Sequence, residues 1–184
     1  MSCEAPPDAF LDARLAGAID ASIAWQAADM DCDGMRRPDG QGLRVTFTGT
    51  AGAGRLTLVF AAPKLAEGAS GRAVPVNVTL IREGGAMYST RGDDKCMLDS
   101  VSQAPLAPAA AVPPPPAGLH ATIDPGARHW SIEAHGFCLE PARAVGDGRD
   151  AILLSRFDFR GQLTWEPDPP PPPTSPPAAT HGRR

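Results

Sequence analysis

The sequence predicts a mainly β domain, an antiparallel β-sandwich or barrel-like fold with one short N-terminal helix, held by disulfide bonds. Three observations lead there. Apolar and polar residues alternate with a period of two in several short runs, most clearly from Ala151 to Trp165. Glycine-bearing turns separate those runs, the pattern of antiparallel sandwiches and barrels. Four cysteines, Cys3, Cys32, Cys96 and Cys138, are spread without a C-x-x-C pair, which favours bridges over a structural zinc site.

Taken in order, Pro6-Pro7-Asp8 followed by Leu11, Leu15, Ala18 and Ile19 reads as an amphipathic helix capped by Asp8, with Asp12 near its positive end and its finish near Asp20. From Ser22 the residues Ile23, Trp25 and Ala27 alternate with Ala24, Gln26 and Ala28, giving a strand that reaches Cys32. The turn-rich run Asp33 to Gly42 then leads into Leu43 to Thr48, where Leu43, Val45 and Phe47 share a face. Arg55 to Ala61 alternates again with Leu56, Leu58 and Phe60 inward. A further strand runs from Val74 to Leu80 and turns at Glu83-Gly84-Gly85 into Ala86 to Thr90. His129 to Cys138 puts Trp130, Ile132, Ala134 and Cys138 on one face, with the indole expected beside a disulfide. In Ala151 to Trp165 the odd positions Leu153, Phe157, Phe159, Leu163 and Trp165 point inward, and the length predicts a bend near Gly161.

Two proline-rich stretches interrupt the pattern. The domain is expected to span 1–166 with an extended proline-rich loop at 104–118, and 167–184 reads as a disordered tail. A hydrophobic fraction of 42% is enough for one core, although 21 prolines and 19 glycines put much of the chain outside regular elements. A net charge of −4 leaves no broad footprint for a nucleic acid backbone. The apolar stretches, such as Leu56 to Pro63, fall far short of the roughly 20 residues of a spanning helix. Lys64 and Lys95 are the only lysines among 17 basic residues, a bias that, with abundant Ala, Gly and Pro, fits a GC-rich bacterial coding sequence.

Four cysteines allow three pairings; Cys3 with Cys32 and Cys96 with Cys138 is the expected one, because each bridge then closes a single local loop. Each would add roughly 3 to 4 kcal/mol in the chain-entropy model. Such bridges persist in a periplasm or outside the cell. The opening residues Met-Ser-Cys-Glu-Ala-Pro-Pro are not a signal peptide, so the localisation carries the expectation of a mature or trimmed chain.

The chemical leads are few. Asp29, Asp31 and Asp33, followed by Gly34, match the opening of a calcium loop, D-x-D-x-D-G, but Gly40 stands where a bidentate glutamate would be needed and Arg36 and Arg37 add positive charge. The alternative is an acidic hairpin turn. Asp93 and Asp94 form a charged turn between Arg91 and Lys95, which would stabilise both carboxylates in their ionised forms. Glu133 and His135 share an outward strand face, whereas His129 lies ~20 Å from His135 on a straight strand. Asn77-Val78-Thr79 is a glycosylation sequon, meaningful only in a eukaryotic secretory pathway. The leading expectation is an extracytoplasmic, periplasmic or secreted, binding or interaction domain engaging an unknown protein or small ligand. The alternatives are a small secreted hydrolase with a site assembled from scattered acidic and histidine residues, and a calcium-stabilised structural module.

Overall fold

Between Phe10 and Gly17 every second residue is apolar, and an extended chain with that pattern buries one side against whatever edge is available. In the computed structural model, which describes residues 7–52, 54–106, 127–146 and 148–166, that segment is strand β1 (Phe10–Gly17). The expected N-terminal helix does not form. Leu11 and Leu15 are four apart, a spacing that suits one turn of helix and two repeats of a strand equally well, and the choice falls to tertiary pairing. Here the strand β12 (Ala151–Trp165) offers an edge that β1 follows from Phe10 opposite Arg160 to Gly17 opposite Ile152. Leu11, Ala13 and Leu15 are buried, and Asp8 is an ion-pair partner of Arg160 instead of a helix cap.

The expected strand from Ser22 to Cys32 is two strands, β2 (Ala21–Gln26) and β3 (Met30–Arg36). Asp29 breaks them apart: its carboxylate accepts a hydrogen bond from the Gln26 N–H while its own N–H donates back to the Gln26 carbonyl. β2 returns along β1, and β3 pairs with β4 (Leu43–Ala51). β5 (Gly54–Ala62) follows β4. The expected strand from Val74 to Leu80 is likewise divided at Val76, into β6 (Gly71–Pro75) and β7 (Asn77–Arg82). β8 (Met87–Ser89), β9 (Cys96–Pro105), β10 (Arg128–Cys138) and β11 (Ala142–Ala144) complete the set. Ala104 and Pro105, expected in the proline-rich loop, end β9; 107–126 and the tail 167–184 lie outside the described residues.

Hydrogen bonding links the twelve strands into one sheet, in which two runs follow one another, β2-β1-β12-β10-β9-β6 and β3-β4-β5-β7-β8-β11. β12 joins them at both corners, through Ala151 and Ile152 to β11 and through Thr164 to Met35 of β3. Every pairing is antiparallel except that last one. The two runs face each other across a common apolar layer in which Phe47 and Phe60 of one run meet Phe157 and Phe159 of the other at centroid separations of 4.7 to 5.2 Å. Trp25 ties a third corner, lying over Gly49 and donating its indole N–H to the Thr50 carbonyl at 2.8 Å.

Two close approaches demand glycine. A Cβ on Gly34 would stand 2.1 Å from the Gln162 carbonyl oxygen, where β3 meets β12. This residue, read from sequence as a turn glycine, is a spacer between strands, and β3 runs on to Arg36 before the turn begins. A Cβ on Gly136 would stand 2.4 Å from the Phe157 ring.

Other details differ from expectation for the same reason: bulges move parity. An extra residue near Ser155 shifts the register between Arg14 and Leu15, so Ile152 and Leu154 point inward ahead of it and Leu153 does not lead the inward series. The irregularity lies there and not at Gly161, which is buried beneath Phe47. Trp130 sits opposite Pro105, eight residues along β10 from Cys138, or roughly 26 Å at strand rise, so it does not pack against the disulfide.

Cys96 and Cys138 are bonded directly across the β9–β10 pair, with Cα atoms 4.0 Å apart. Cys32 is disulfide-bonded as well; Cys3, its expected partner, lies outside the described residues. Removing the bridge with Cys96→Ala and Cys138→Ala is expected to lower unfolding free energy by about 4 kcal/mol, from the 42-residue separation it closes, as read from urea denaturation.

Candidate functional site

Two of the residues singled out by parity, Glu133 and His135, do come together, on the outer face of β10. The face is larger than the sequence disclosed. Register sets β10 beside β12 so that His135 faces Asp158 and Glu133 faces Arg160, and sets β1 beyond β12 so that Asp12 faces Asp158. The Asp158 carboxylate accepts a hydrogen bond from His135 Nδ1 at 2.8 Å, which leaves Nε2 facing Glu133 Oε1 at 3.7 Å. Arg156 Nε lies 3.2 Å from the other Asp158 oxygen. Arg160 donates to both Glu133 and Asp8, and these hydrogen bonds, Glu133 foremost, raise its affinity for its proton above the ordinary arginine value. The result is a surface lattice, Asp8–Arg160–Glu133–His135–Asp158–Arg156, that crosses β10 and β12 and ends on the residue pair ahead of β1.

Like charges directly opposite on neighbouring strands repel, and Asp12 and Asp158 are such a pair. His135 and Arg156 compensate Asp158. Asp12 has no ion-pair partner among the described residues. On the far side, Ser100 of β9 stands opposite His135, so Asp158, His135 and Ser100 occupy one row across three adjacent strands. An imidazole whose Nδ1 is anchored on a carboxylate has its ring orientation fixed, as proton transfer at Nε2 requires, and here Nε2 faces Glu133.

The second cluster lies at the end where β10 begins. Glu67 receives both Arg128 Nε and Nη2, at 2.6 and 2.7 Å, and the Trp130 indole N–H at 3.0 Å. The hydrogen bond from Arg128 is the main reason that the Glu67 carboxyl is held below the usual glutamate range, assisted by Trp130 and opposed by partial burial. Beneath it the buried amide of Gln103 donates to the Ala66 and Ala69 carbonyls and accepts from Gly68 N–H and the Trp165 indole. A depression of about 240 Å³ beside this clamp is lined by Arg36, Glu67, Arg128 and Trp165.

The remaining sequence leads stay apart. Asp31 and Asp33 are on the outer side of an extended strand, opposite Thr48 and Thr46, and Asp29 belongs to the preceding turn. Successive outward residues of a strand are ~6.6 Å apart, so no calcium-type loop closes around these carboxylates. Asp31 is paired with Arg55 at 2.9 Å. Asp93 pairs with Lys64 across an exposed turn, and Lys95 with Glu140 at 3.1 Å; Asp94 does not meet the histidine face. Among the described residues no three His, Cys, Asp or Glu side chains are grouped to hold a metal ion. Sequence reading missed Asp8, Asp12, Asp158, Arg160 and Ser100 as members of one surface, because their assembly depends on which strands pair. For Asp158 and Arg160 the outward parity was visible. Nothing in the sequence linked Glu67 to Arg128, 61 residues away.

No protein-family model, curated protein or solved structure matches the chain.

Two outcomes follow. Because the Glu67 carboxyl is held low in the folded state, its contribution to stability is complete above the ordinary glutamate range and is lost as pH falls through the lowered value; Glu67→Gln is expected to flatten the acid side of a melting-temperature profile while leaving the neutral-to-alkaline slope unchanged. Calcium at about millimolar concentration is expected to move the melting temperature by less than about 1 °C, as the spread of Asp29, Asp31 and Asp33 implies, and a larger rise in differential scanning calorimetry would restore a calcium role.

Proposed function

We propose that this chain is a disulfide-locked, extracytoplasmic binding domain that presents the charged outer face of β1, β12, β10 and β9 to a partner of complementary charge. The observation that carries this reading is the ion-paired lattice itself. Its side chains are held by one another on paired strands, so a partner meets fixed charges and little side-chain freedom has to be lost on contact. Asp12, without a counter-ion among the described residues, is the position at which an incoming cation gains most. The Cys96–Cys138 bridge and the bonded state of Cys32 favour an oxidising compartment, periplasmic or extracellular. No helix among the described residues is long and apolar enough to cross a membrane. In this reading the two strand runs make a β-sandwich, closed at its corners by β12, and the proline-rich stretches act as spacers.

A second reading, a hydrolase, draws on the row Asp158, His135, Ser100. In it Ser100 would be the nucleophile, His135 the base and Asp158 the residue that orients the imidazole.

One pair of measurements separates the two. With a photo-crosslinking residue at position 10, outward on β1 beside Asp12, protein incubated with an envelope extract of its native host is expected to yield a discrete adduct that Arg160→Glu abolishes; absence of any adduct along the face counts against a binding role. A fluorophosphonate probe is expected to leave the wild type unlabelled. Labelling at Ser100 that His135→Ala removes would instead establish the hydrolase.

A further inference from the structure

The opposite outer face has a different chemistry. Along one row of the second run, register places Asp33, Thr46, Val59, Thr79, Ser89 and Arg143 side by side, one from each strand. The adjacent row is Asp31, Thr48, Thr57, Ile81 and Met87, continued by Val145, whose N–H donates to the Met87 carbonyl. Between the two margins these rows hold only hydroxyl, aliphatic and thioether side chains, and the one cation that reaches over them from the next row, Arg55, crosses β4 to pair with Asp31 at 2.9 Å. Four of the hydroxyls already satisfy one another, Thr48 with Thr57 at 2.9 Å and Thr79 with Ser89 at 3.3 Å, so covering these costs little desolvation. Threonine, valine and isoleucine are stiff at χ1 and have little rotamer freedom to lose. Ile81, Met87 and Val145, at 39%, 40% and 53% exposed, are three of the large apolar side chains that remain open to solvent.

The margins decide what covers this face. One edge strand, β3, carries Asp33, and the other, β11, carries Arg143, each in the same row and each without an ion-pair partner among the described residues. We propose that the face is a homodimer interface, in which a second copy packs on the outer surface of β3-β4-β5-β7-β8-β11 about a two-fold axis parallel to the strands. Rotation about that axis reverses the strand order and preserves the row, so Asp33 of each copy lies over Arg143 of the other. A two-fold axis across the strands would set Asp33 on Asp33 and Arg143 on Arg143 and is excluded by repulsion. The face is thus self-complementary in the sense that an isologous pair requires. Six strands at ~4.8 Å and about 20 Å of strand length give a footprint of roughly 500 Å² per copy. That is about 1,000 Å² in total, the lower bound of a specific interface, and sets a concentration-dependent dimer in place of a permanent one.

The test is sedimentation velocity on the full chain from micromolar to near-millimolar concentration, with circular dichroism to verify that each variant is folded. Wild type is expected to move from monomer to dimer mass. Thr57→Lys, at the centre of the face, is expected to abolish the shift, Asp33→Arg and Arg143→Asp each to weaken association by about tenfold or more, and the double variant D33R/R143D to recover it. A wild type that stays monomeric throughout overturns the proposal, as does a dimer indifferent to Thr57→Lys. Failure of the double variant to recover association overturns the two-fold arrangement.

Discussion

Four phenylalanine rings hold the two strand runs together, and the positions of nearly all other elements follow from that contact. Phe157 and Phe159 come from β12 and Phe47 and Phe60 from β4 and β5, all fully buried. Their packing needs clearance: Gly136 leaves room for the Phe157 ring, and Gly161 sits under Phe47. Burying an aromatic ring stabilises by several kcal/mol, as the cost of about 3 to 5 kcal/mol for phenylalanine truncation indicates, so this group alone is comparable to the net stability of a small domain. β12 supplies half of it and touches both runs at its ends. A strand so placed has one register that buries its rings, and that register in turn brings Asp158 beside His135.

The two outer faces divide the chemistry. Between β12 and β10 opposite charges answer one another, and on the other face hydroxyls pair between β4 and β5 and between β7 and β8. Both faces are outward positions of strands whose inward positions are uniformly apolar, so neither is required by the core. The cross-strand disulfide lies at the edge of the charged side, in the β9–β10 pair that also holds Ser100 opposite His135.

Much of the strand content was legible from alternation alone: β4, β5, β10 and β12 lie where the period-two runs lie, and the Cys96–Cys138 bridge was the expected one. The misreadings share one cause, which is that local pattern does not record the partner. Leu11 and Leu15 fit helix or strand, and an edge of β12 decided it. β9 escaped notice because the bulge at Asp99 breaks its alternation, turning Leu98 and Val101 inward on opposite parities. β11, three residues long, has too few positions to show a period. Gly34 looked like a turn residue because glycine serves turns and close strand approaches alike. For the site, parity marked Glu133 and His135 as outward neighbours, while Asp8, Asp12, Ser100 and Asp158 became their neighbours only through long-range register.

The place of β12 also determines how the domain would bear a pull. The chain leaves the described fold at Glu166, one residue past β12, and β12 is gripped on one edge by β1 and on the other by β10. Hydrogen bonds between antiparallel strands stand perpendicular to the strand axis. Tension along that axis therefore loads the bonds of both edges in shear at once, instead of opening them one after another as in a peeled hairpin. The Cys96–Cys138 bond then carries part of the strain covalently from β10 into β9. A partner held on the charged face would be carried by the same strands that resist extension.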